Sequence, residues 1–127
     1  LAALSLETGR PVWQRNISSS VGVAVSGQLL IAVDMKSRVI ALNAKNGSEV
    51  WQNSQLLERD LITPEFLRDY VAVMDRGGYV HLLDLNSGEI VGRKVAGNKS
   101  SPGSRMVAVD QKLFILTPNS NVTALSY

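Results

Sequence analysis

The stretch ALSLETGRPVW at residues 3–13 and the stretch ALNAKNGSEVW at residues 41–51 share one frame, A-L-x-x-x-x-G-x-x-V-W. The chain holds two tryptophans, Trp13 and Trp51, and each closes one copy of the phrase. A weaker copy, HLLDLNSGEIVG at 81–92, keeps the leucine, the glycine and the final valine but ends on Gly92 where a tryptophan would stand. VTALSY at 122–127 supplies the opening Ala-Leu once more. Gly9 and Gly47 are 38 residues apart, and Gly47 and Gly88 are 41 apart. The segments LLIAVDMKSRVIAL (29–42), YVAVMDRGGYVHLL (70–83) and KLFILTPNSNVTAL (112–125) align on one another without a gap. Self-similarity at a fixed period of about 40 residues marks a repeat architecture.

Each repeat reads as a β-meander. Short runs rich in Val, Ile and Leu, such as LLIAV, YVAVM and KLFIL, are each followed by a turn cluster, then by a second apolar run and an Asn-Gly, Ser-Gly or Thr-Gly turn. Strands of this length separated by turn residues at close spacing signal successive hairpins. The spacing predicts strands at 21–26, 29–34, 38–44 and 49–53, and again at 62–67, 70–75, 79–85 and 90–95. In RVIALNA, Val39 and Ala41 point one way while Ile40 and Leu42 point the other, so both faces of the sheet are apolar and both need cover. Radial stacking of four-stranded sheets meets that need, which makes the expected fold an all-β propeller of antiparallel blades. A β-sandwich is the runner-up, and the strict period of turns and tryptophans argues against it.

This reading gives the repeated phrase a purpose. Gly9, Gly47 and Gly88 supply the positive φ needed in the turn between the third and fourth strands. Trp13 and Trp51, on the outer strand, wedge against the next blade. The five residues are expected to form a structural blade-docking set. The expected organisation is a half blade at 1–16, full blades at 21–53 and 62–95, and a blade lacking its outer strand at 105–127. Propellers close with four to eight blades, so about three blades imply a portion of a larger ring. A chain cut in this way is expected to expose a strand edge near 121–127 and an apolar blade face, and to self-associate.

Composition narrows the function. Thirteen basic residues against eleven acidic ones give a net charge of +2, scattered along the chain, with 6% aromatic residues. Neither a basic groove nor a stacking platform for nucleic acid is indicated. Cysteine is absent, which removes disulfide and thiolate chemistry. His81 is the lone histidine, so neither a two-histidine metal site nor a pair of histidine relays is available. It is expected to be a hydrogen-bonded or exposed strand side chain, peripheral to the fold. Asp34 and Asp75 occupy equivalent positions in the repeat, which favours turn formation over acid–base work. No catalytic, cofactor-binding or metal-ligating residue is assigned.

The phrase A-L-[DN]-x-x-[TSN]-G-x-x-x-W resembles the repeat of quinoprotein-type propellers. The ordered combination of VWQNSQLLERDLITPEF (50–66), GGYVHLLDLNSGEIVGRKV (77–95) and KLFILTPNSNVTALSY (112–127) resembles the C-terminal third of the BamB family of outer-membrane assembly lipoproteins. The resemblance implies an eight-bladed propeller, anchored by lipid at the periplasmic face of the outer membrane. It also implies a non-enzymatic scaffold that binds BamA and assists insertion of outer-membrane proteins, with unfolded outer-membrane proteins as further partners and no cofactor. In that family, acidic residues on connections between earlier blades touch BamA. Glu58, Arg59 and Asp60 occupy a later connection here and are candidates for a minor partner contact or a groove charge; no close match to the family's acidic motif occurs, and the plainer reading is a solvated loop. The alternative is a quinone-dependent dehydrogenase carrying the same repeat, which would need a quinone, a calcium ion and an aspartate base.

Overall fold

The structure, a computed structural model, describes residues 1–18, 21–96, 104–118 and 122–126. The described residues form thirteen strands and no helix. β1 (Ala2–Leu4) and β2 (Pro11–Gln14) make a two-stranded sheet. β3 (Gly22–Ser26), β4 (Leu29–Val33), β5 (Val39–Asn43) and β6 (Glu49–Asn53) make a four-stranded sheet in chain order. β7 (Glu65–Leu67), β8 (Tyr70–Met74), β9 (Tyr79–Asp84) and β10 (Ile90–Val95) make a second one. β11 (Arg105–Val109), β12 (Lys112–Leu116) and β13 (Val122–Ser126) complete the set as a three-stranded sheet. Every pairing is antiparallel.

The two central sheets are apolar on both faces, and each face has its own cover. Leu30, Ala32, Ile40 and Leu42 pack toward Leu1, Trp13 and Ile17 of the first sheet and its exit. Ile31, Val33, Val39 and Ala41 pack toward Val71, Val73 and Leu83 of the third sheet. The opposite side of that sheet, Ala72, Met74, Val80 and Leu82, meets Met106, Leu113 and Ile115 of the fourth. Strand alternation thus sends neighbouring residues into two different interfaces, the arrangement of stacked propeller blades. The inner strands β3, β7 and β11 lie next to one another.

One strand is shorter than its pattern suggests. The run predicted at 62–67 is a strand only over Glu65–Leu67. Pro64 has no N–H for a ladder, and Thr63 turns away to donate its hydroxyl to Val21 O at 2.8 Å. Ile62 N still donates to Met74 O at 3.0 Å, so the segment follows β8 without forming a regular strand. Most of the expected inter-blade loop at 97–104 lies outside the described residues.

Candidate functional site

The repeated phrase builds a contact between sheets. At each outer strand the pairing slips by one residue. Trp13 lies opposite Ala3 and Pro11 opposite Leu4, so Val12 is left over; Trp51 lies opposite Ala41 and Glu49 opposite Leu42, so Val50 is left over. In β10, Val91 is left over in the same way. An extra residue in one strand is a β-bulge, which bends the strand and re-aims the side chains beside it. The three bulged valines are 59%, 50% and 49% exposed, so their contribution is to backbone course and not to burial.

The indoles reach the turn between the third and fourth strands of the following sheet. Trp13 Nε1 donates to Ala44 O at 2.9 Å, and Trp51 Nε1 donates to Leu85 O at 2.7 Å. A β-carbon at Gly47 would lie 2.7 Å from the Trp13 ring, and one at Gly88 would meet the Trp51 ring more closely still. Gly47 and Gly88 also have φ of +76° and +75°. Two independent demands, left-handed backbone and room for an indole, therefore fall on one residue. Asn53 adds a bond from Nδ2 to Gly88 O at 2.8 Å. Gly9 has the same backbone, φ +70°, and no described atom within 4 Å of where its β-carbon would stand.

The connection that carries Glu58, Arg59 and Asp60 lies across turns of two sheets. Glu58 N donates to Lys36 O at 3.0 Å, and Leu61 N donates to Ser37 Oγ at 3.1 Å. On the other side, Arg76 N donates to Arg59 O at 3.0 Å. Glu58 and Asp60 have φ of +62° and +52°, a conformation costing a non-glycine residue roughly 1–2 kcal/mol. The surrounding bonds hold it. Asp60 pairs with Arg76 at 3.0 Å in solvent, and Arg59 Nη1 lies 3.4 Å from Asp75 Oδ2. Among the described residues no hydrogen bond or ion pair engages the Glu58 carboxylate. Glu58, Arg59, Asp60, Arg76, Gly77 and Tyr79 line an open cleft of about 370 Å³.

Beneath this cleft lies a buried polar chain, and it corrects the expectation of a peripheral histidine. His81 is fully buried. Its Nε2 lies 2.8 Å from Asp75 Oδ2, and Arg93 Nε donates to its Nδ1 at 3.0 Å. Asp75 Oδ1 accepts from Tyr79 N at 3.1 Å. Burial pushes the His81 pKa below 6.5, against the pull of Asp75 and with the help of Arg93 and Arg59. Burial alone would raise Asp75, but hydrogen bonds from His81, Tyr79 and Arg59 outweigh it and hold the carboxyl below 3.8. Asp34, its repeat equivalent, is likewise held below 3.8 because bonds from Arg38 and Lys36 overcome burial. Both act as turn anchors: Asp34 Oδ1 accepts from Lys36 N and Arg38 N, each at 2.9 Å.

Chemically, the Asp75–His81 pair is closed. A histidine acting as base needs a free ring nitrogen facing a substrate; here both nitrogens are engaged and the ring is sealed from solvent. Among the described residues, no three His, Asp or Glu side chains lie together as a metal site. A groove between the inner strands, about 630 Å³ and bordered by Val21, Thr63, Glu65 and Arg105, holds one perturbed carboxyl. Burial raises the Glu65 pKa above 4.5, partly offset by the Ala108 N–H.

Stacked antiparallel sheets, fastened at two seams by an indole seated on a glycine, define a segment of β-propeller. The sequence profile of the family described as "Outer membrane protein assembly factor BamB" matches residues 1–127, and the chain belongs to that family. It is 38% identical to the BamB of Shewanella oneidensis over 91% of this chain and 29% of that protein. It is 31% identical to the BamB of Escherichia coli over 99% of this chain and 32% of that protein. The chain thus spans about a third of the length of the curated relatives it matches. The crystal structure of BamB from Moraxella catarrhalis superposes with a TM-score of 0.85 at 25% identity, covering 99% of this chain and 37% of that one. A europium-containing methanol dehydrogenase matches with a TM-score of 0.61 at 20% identity over 76% of this chain and 21% of that one, a likeness of fold alone.

Proposed function

We propose that this chain forms part of a non-enzymatic scaffold for folding and inserting outer-membrane proteins. In this reading it belongs to a lipid-anchored protein at the periplasmic face of the outer membrane, with BamA as its partner. The observation that carries the proposal is the family match over all 127 residues. The closed Asp75–His81 pair supports a structural role over a catalytic one. Gly47, Gly88, Trp13 and Trp51 then serve as blade-docking residues, and Gly9 as a turn residue. Glu58, Arg59 and Asp60 present the partner-facing connection, with Glu58 the side chain most open to a new contact.

The test is copurification. Tagged full-length protein isolated from cells should carry BamA with it, and Glu58→Lys should reduce the yield of BamA without changing the level of the protein. Absence of BamA, together with dye-linked alcohol oxidation after addition of quinone and calcium, would transfer the chain to the dehydrogenase reading.

A further inference from the structure

Four charged or titratable side chains from four different elements meet in a line. Arg59 comes from the connection between the second and third sheets, Asp75 from the turn after β8, His81 from β9 and Arg93 from β10. These are the charged groups that reach His81 among the described residues. The order of the contacts fixes the proton. Arg93 Nε–H donates to Nδ1, so Nδ1 carries the lone pair and the ring proton sits on Nε2, aimed at Asp75 Oδ2. The ring is neutral in this arrangement.

We propose that this line is an acid-sensitive brace: protonation of His81 expels Arg93 from the ring and weakens the hold of Asp75 on Arg59, releasing the 56–61 connection from the third sheet. The proton has one place to go, Nδ1, and Arg93 occupies it. Once Nδ1 carries a proton, two N–H groups and two positive charges face each other at the former 3.0 Å bond. Water cannot take the place of Arg93 while the ring stays buried. At the other end, Asp75 Oδ2 serves both His81 and Arg59. A cationic imidazole claims that oxygen more strongly than a neutral one. Arg59, already the longer contact at 3.4 Å, is the one displaced. Its carbonyl is the acceptor for Arg76 N, so the loss passes directly to the seam between the connection and the β8–β9 turn.

Nitrogen NMR of histidine-labelled full-length protein tests the brace, with the His81 signals assigned by their loss in His81→Gln. At neutral pH the proton should be found on Nε2. As pH is lowered through the His81 transition, protection of the Arg76 amide should fall about tenfold per pH unit, the slope of a one-proton opening. The Ala41 amide in the second sheet should keep its protection. Arg93→Met, which removes the donor and the charge, should move the His81 midpoint upward, and the loss of amide protection should move upward with it. A proton on Nδ1 at neutral pH, constant protection across the titration, or an unchanged midpoint in Arg93→Met would each overturn the proposal.

Discussion

The Trp51 ring occupies the space that a side chain at Gly88 would need, and its indole N–H is bonded three residues earlier, to Leu85 O. Any β-carbon at Gly88 meets both an indole and a left-handed backbone. Gly88→Ala is therefore expected to destabilise by about 2–4 kcal/mol, combining overpacking with conformational strain. Gly9→Ala has the strain without the clash and should cost about 1 kcal/mol. Urea midpoints of the two variants measure the difference; equal midpoints would remove the indole seat from the account.

Trp51→Ala empties the same seat from the other side and should cost about 3–5 kcal/mol. Trp51→Phe retains most of the ring and loses the bond to Leu85 O, for about 1 kcal/mol. His81→Ala provides the comparison. A peripheral histidine would be silent, but this one is the buried donor to Asp75, and its removal should cost about 2–4 kcal/mol. Urea unfolding of the three variants decides the order.

Stability should decline on the acid side in two stages. The His81 pKa is depressed on folding, so its contribution is complete above the unfolded value of 6.5 and is lost as pH falls below it. Asp34 and Asp75 are also depressed, so theirs is complete above 3.8 and is lost as pH falls further. Thermal midpoints recorded from about pH 8 to about pH 3 should show both stages. In His81→Gln the first should disappear and the second should remain.

The fourth sheet exposes one face. Val107, Val109, Leu116 and Val122 are 47%, 51%, 43% and 65% exposed, while Met106, Leu113 and Ile115 on the other face are buried. β13 is an edge strand of that sheet. An apolar face next to an open edge invites pairing between molecules. The 127-residue chain alone is expected to self-associate, and light scattering at increasing concentration checks this. Val122→Lys and Leu116→Lys together should shift it toward monomer, and a wild-type chain that stays monomeric would contradict the expectation.

The sequence made the sheets legible because their period was written in side chains. The alternation of Val39 and Ala41 against Ile40 and Leu42 was enough to place each pair in a separate interface, as observed. The valine before each tryptophan was visible, but its meaning was not. A bulge is a property of register between two strands, and register cannot be read from one of them. The double demand on Gly47 and Gly88 was half legible: the turn is local, whereas the indole arrives from another repeat. The buried line through His81 was missed because its equivalents in neighbouring repeats, Ile40 and Thr123, are not ionisable, so periodicity gave no signal. Arg59 looked like loop charge because its carboxylate partner, Asp75, lies 16 residues away in the next sheet.

The indole-and-glycine contact crosses from each repeat to the next, so neither residue belongs to a self-sufficient unit. A gene that gains or loses one whole repeat preserves every such pairing, because each new glycine arrives with a new tryptophan in step. A break between one phrase and the next separates the two and leaves one seat empty and one ring stranded. Exchange in whole periods therefore keeps every ring seated, whereas a repeat without the tryptophan, as at Gly92, sets no indole against a following turn.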